Sequence, residues 1–88
     1  MTQVGYVTAS RPLEPTGEPM TYYRVGQLLS WRPSLPRVLG RQAARAEARR
    51  QADSFEGASI GIWNDDLDEW CAILFQNVWF FAAGYADE

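Results

Sequence analysis

Histidine and lysine are absent from this chain of 88 residues, and Cys71 is its one cysteine. The first absence removes imidazole acid–base chemistry and histidine metal ligation. The second removes Schiff-base and amine-nucleophile mechanisms. A single thiol closes no internal disulfide and builds no multi-cysteine zinc site, and it suits a reducing compartment. Serine and threonine are present, but no histidine or lysine stands by to activate them. Paired carboxylates could serve glycoside hydrolysis, yet so short a chain cannot build the deep cleft which that chemistry needs. The expectation is a protein that is not an enzyme and takes no cofactor and no metal.

Long apolar runs are also scarce. The nearest to one is residues 70–86, which carry no charge. That is close to the minimum of roughly 17 residues for a spanning helix. Gln76 and Asn77 interrupt it, and acidic rather than basic residues flank it, so two strands joined by a Gln-Asn turn explain it better than a span. The first eleven residues show neither the basic start nor the continuous apolar stretch of a secretory signal. These features predict a cytoplasmic chain that does not cross a membrane.

What the chain does have is 47% hydrophobic and 14% aromatic residues, enough for one small domain over residues 1–88. A domain of this size buries only about 60–65% of its unfolded surface, so its margin of stability is thin and a second chain can matter. Charge is divided by halves. Residues 1–52 carry all eight arginines against three glutamates, whereas residues 53–88 carry eight carboxylates and no basic residue. Either the halves pack together and neutralise one another, or one of them faces a charged partner.

Residues 4–9 read as a strand, with Val4, Tyr6 and Thr8 alternating against Gly5, Val7 and Ala9. Pro12, Pro15, Gly17 and Pro19 make a stiff loop. Residues 20–31 read as extended, with Gly26 marking a bulge. Alanines within residues 41–54 predict the one helix. Its start is open: Ser34 could cap a helix from Leu35, or residues 37–40 are extended and the helix follows. Ala44, Ala48, Ala52 and Phe55 are its expected buried face. Strands follow at 58–63, 69–75 and 78–82, separated by the Asn64–Asp68 and Gln76-Asn77 turns. The fold class expected is α+β: an antiparallel sheet of about four or five strands with one Ala/Arg-rich helix on one face, in the order β-β-α-β-β-β.

Such a sheet should alternate apolar and polar side chains, and its last two strands do not. Strict alternation puts Trp70, Ala72 and Leu74 on one face and Cys71, Ile73 and Phe75 on the other, while Val78, Phe80 and Ala82 oppose Trp79 and Phe81. One helix covers one face. The other must be covered by the chain itself, by a homodimer through the C-terminal strands, or by another protein.

Asn64, Asp66 and Asp68 are spaced like the opening of a calcium loop, but Glu69 and Phe75 occupy the places where that loop needs glycine and glutamate, so a solvated turn is expected. Arg37, Arg41, Arg45 and Arg49 recur every four residues and would form a stripe on one helix that could grip phosphates, the basis of an alternative reading as a nucleic-acid-binding subunit. Cys71, in an apolar strand beside acids, is expected to be a core residue. The reading by elimination is a non-catalytic protein-binding module that occludes a partner with a basic surface. Its expected contact residues are Trp63, Asp65, Asp66, Leu67, Asp68, Glu69 and Trp70, with Trp79 and Phe81. In size and charge alone it is comparable to phage-borne inhibitors of nucleic-acid-handling defence complexes, anti-CRISPR proteins among them.

Overall fold

Apolar alternation and a single alanine-rich segment yield one sheet and one helix. The computed structural model of the protein describes residues 11–85. Its elements are β1 (Tyr22–Gln27), β2 (Arg37–Leu39), α1 (Arg41–Ser54), β3 (Ile60–Asn64), β4 (Glu69–Phe75) and β5 (Val78–Phe81). All strands pair antiparallel in the spatial order β2-β1-β3-β4-β5, with α1 packed on one face. The class and the chain order are those expected. The strand expected at residues 4–9 lies outside the described residues, and the second strand of the order is β2.

The helix therefore starts late. Gly40 has φ 98°, which a helix cannot pass through, and its N–H donates to the carbonyl of Thr21 at 2.9 Å. A carboxylate from far upstream takes over the capping role. Glu14, buried in the folded proline loop, accepts the Arg41 N–H on Oε2 at 3.0 Å. Ala44 and Ala48 are fully buried and Ala52 partly so, and their small side chains let α1 lie close on Tyr23, Val25, Ile60, Ile62, Ala72 and Leu74. Phe55 does not join them. The helix ends at Ser54, Phe55 leaves helical geometry at φ -124°, and its ring is half exposed, because helical spacing no longer aims it at the sheet.

Gly26 marks no bulge; it pairs in regular register with Gly61. The irregularity lies between β3 and β4, where Ile62 pairs with Ala72 but Trp63 pairs with Trp70. Cys71 is thereby the extra residue of a bulge, which breaks strict alternation. Trp70 consequently joins Trp63 on the face away from the helix, not Ala72 and Leu74, and Cys71 turns into the core, not toward Ile73 and Phe75.

Candidate protein-binding face

The sheet face away from α1 is built around missing side chains. A Cβ on Gly61 would stand 2.5 Å from Leu28 Cδ2 and 2.8 Å from Trp70 Cζ3, and one on Gly26 would stand 2.6 Å from Leu35 Cδ1. The segment after β1, beginning with a 3-10 turn at Leu28–Ser30, folds back over this hollow. It brings Trp31 to Trp70 at 4.6 Å between ring centroids; Trp63 meets Trp70 at 5.0 Å and Trp31 at 6.4 Å. Tilted and edge-on pairs of this kind contribute about 0.5–1.5 kcal/mol each beyond area burial.

That cover is incomplete. Trp70 remains 38% exposed, Val78 51% and Phe80 55%, and Leu29 stands fully in water. Among the described residues, the segment after β1 shields the β1–β3 half of this face, while Val78 and Phe80 on β5 stay half exposed. Val78 and Phe80 oppose Trp79 and Phe81, as alternation predicts.

On the helix side, Trp79 and Phe81 stack at 5.8 Å with 14° between planes. Arg45 lies 5.0 Å over Phe81, and Arg49 lies 5.4 Å over Trp79. Their stems and guanidinium groups cover this aromatic pair, which is therefore not presented with the tryptophan cluster. The predicted arginine stripe is not one stripe, because Arg37 sits on β2 while the other three lie on α1.

The acidic turn is organised by Asn64, which is buried. Its Oδ1 accepts the N–H groups of Asp66 and Leu67, each at 3.0 Å, and its Nδ2 donates to the Tyr85 hydroxyl at 2.8 Å. Asp65, with a side chain only 13% exposed, takes Arg24 at 2.8 Å and Arg37 at 3.0 Å. Asp66 takes Arg11 at 2.5 Å and the Tyr22 N–H at 3.4 Å. The bonded guanidinium of Arg24 holds Asp65, and that of Arg11 holds Asp66, below the usual carboxylate range. The two charged halves of the sequence thus meet here. Leu67 and Asp68 remain exposed at the tip, Asp68 with φ 55°. Glu69 accepts the Tyr85 hydroxyl, whose pKa burial and that carboxylate push up to about 12.

A cleft of about 400 Å³ opens between the start of α1 and β4, lined in part by Tyr23, Arg45, Glu69, Cys71 and Tyr85. Burial pushes the Cys71 thiol up to about 12, and its sulfur donates to the Ile62 carbonyl at 3.4 Å, so it lies in the cleft wall as a protonated core group rather than a nucleophile. Among the described residues no cluster of three or more cysteine or carboxylate side chains could hold a metal ion, and no helix is long and apolar enough to cross a membrane.

The expected contact residues therefore fall in separate places. Trp63 and Trp70 share the back face, Leu67 and Asp68 the turn tip. Asp65, Asp66 and Glu69 are engaged within the chain, and Trp79 and Phe81 lie beneath arginines. Sequence reasoning passed over Trp31 and Leu29 as contact residues; fold-back over the glycines brings Trp31 to the cluster, and Leu29, two residues before it, stands in water. No family of known proteins, no curated protein and no solved structure matches this chain.

Proposed function

We propose that this protein is a non-catalytic binding module that works by covering a surface of another protein. The observation that carries this reading is the tryptophan cluster of Trp31, Trp63 and Trp70, packed edge to face yet open to water at Trp70 and flanked by fully exposed Leu29. A rigid, partly wet tryptophan on a firm sheet costs little ordering entropy when a partner closes over it, which is how interface anchors act. Leu67 and Asp68 at the neighbouring turn add an apolar and an acidic rim, and the net charge of -3 favours a basic partner. Asp65 and Asp66 are scaffold in this reading, since arginines of the same chain take up their charge.

The test is retention of a protein from cells that encode this chain, comparing wild type with Leu29→Asp and Trp70→Ser, both shown folded by circular dichroism. The reading expects one species held at near-equal stoichiometry by wild type and lost from both variants. Retention that neither substitution reduces rejects the tryptophan face as the binding surface.

A further inference from the structure

Between β1 and β2, residues 28–36 cross the back of the sheet as a flap, with Leu28 over Gly61 and Leu35 over Gly26. We propose that Arg24 is the latch that closes this flap, so that an ion pair with the acidic turn, and not apolar packing alone, assembles the tryptophan cluster. The bearing of the latch on binding rests on the reading above; the latch itself does not.

The flap has little else to hold it. None of its residues is fully buried; Leu28, Trp31 and Leu35 are half-buried and the rest are exposed. Two of its own bonds are local: the Trp31 N–H donates to the Leu28 carbonyl and the Leu35 N–H to the Arg32 carbonyl, each at 3.3 Å. Among the described residues, two hydrogen bonds fasten it to the rest of the fold. At its start the Leu28 N–H donates to the Ser59 carbonyl at 3.0 Å, and at its end Arg24 Nη1 donates to the Leu35 carbonyl. A segment with few buried groups and few bonds opens at lower free energy than the strands beneath it.

The latch has a fixed shape. Alternation along β1 sends Tyr23 and Val25 into the core and Arg24 to the back, where it stands opposite Arg37 on β2 and Trp63 on β3. Asp65 takes both Nε and Nη2 of Arg24, at 2.8 and 3.3 Å. The guanidinium is planar, so a carboxylate on those two nitrogens aims the third, Nη1, and that is the nitrogen on Leu35. Both side chains of the pair are largely buried, so salt screens it weakly.

Asp65 also takes Arg37 at 3.0 Å, the residue at which the flap rejoins the sheet. Arg24 and Arg37, directly opposite one another, would repel without it. One carboxylate therefore sets both the latch and the flap's exit. The turn that carries Leu67 and Asp68 and the flap that carries Leu29 and Trp31 are joined through Asp65 and Arg24.

NMR of the full chain tests this through the exchange rate of the Leu28 amide and the indole N–H resonance of Trp31, which the Trp70 ring shifts from 4.6 Å. The latch variants are Arg24→Met, Arg24→Lys, which keeps the charge but lacks the planar fork, and Asp65→Ala. Asp66→Asn, which breaks the Arg11 pair in the same turn, is the control for a general loss of stability. The latch variants are expected to speed Leu28 exchange about ten- to hundredfold relative to the β3 and β4 amides and to move the Trp31 indole, whereas Asp66→Asn leaves both as in wild type. Two results overturn the latch: a folded latch variant in which both signals keep their wild-type values, or signals that move only in step with the β3 and β4 amides or equally in Asp66→Asn. Retention of a partner enters none of these readings, so failure of the latch and failure of the binding role are told apart.

Discussion

Gly26 on β1 and Gly61 on β3 stand directly opposite one another, and the space left by their missing side chains is where Leu28, Trp31, Leu35 and Trp70 settle. Each glycine costs strand stability on its own, so their pairing is explained by what lies over them. Gly61→Val would drive Cβ into Leu28 and the Trp70 ring. The expected loss is about 1–3 kcal/mol, the range for overpacking, with a red-shifted tryptophan emission as Trp70 lifts into water. Urea unfolding followed by fluorescence measures both.

Asp65 and Asp66 tie the acidic turn to Arg24, Arg37 and Arg11. Because both carboxyls are held below the usual range, their contribution to stability is complete above the unfolded value of about 3.9 and falls away as pH drops through their folded values. Asp65→Asn should thus lower the urea midpoint at neutral pH. The gap from wild type should close in strong acid, where the wild-type carboxylate is also neutral. A gap that stays constant from neutral pH into acid contradicts this account.

Asn64 serves two backbone donors and a tyrosine from a buried position. Asn64→Ala strands the N–H groups of Asp66 and Leu67, and a cost of about 1–3 kcal/mol is expected. Tyr85→Phe, which removes the hydroxyl's bonds to Asn64 and Glu69 but strands no backbone group, should cost less. Thermal unfolding of the two variants side by side ranks them.

Cys71 is buried with its thiol pKa pushed up to about 12. A chromogenic disulfide reagent at mildly alkaline pH should therefore modify the folded protein only as fast as it opens, and the urea-unfolded chain at once. Rapid modification of the folded protein would place the thiol outside the core.

Gln76 and Asn77 both have positive φ, 51° and 66°, the signs of a type I′ hairpin turn, where Asn-Gly is the preferred pair. Replacing them together by Asn-Gly should relieve left-handed strain at Asn77 and ease it at position 76, raising stability by about 1–2 kcal/mol. Chemical denaturation reads this gain without a functional assay.

The class of fold was legible because each local signal had one physical outlet. Alanine from 43 to 52 favours helix, Ile60 and Ile62 alternate with Gly61 and Trp63, and the two polar turns divide the C-terminal strands. The excluded chemistries followed from residue types that are absent, which no fold can supply. The site was legible only in part. A one-residue bulge at Cys71 reversed the face of Trp70, and sequence periodicity carries no mark of such a slip. Whether an arginine lies over an aromatic ring, beside a carboxylate or in water depends on strand neighbours far apart in the chain, as with Arg24 and Asp65 or Arg45 and Phe81. Composition thus determined which side-chain chemistries are missing and what the elements are built from. The tertiary structure alone decided which apolar and charged groups satisfy one another and which stay exposed, because that choice rests on register and long-range pairing rather than on any local preference.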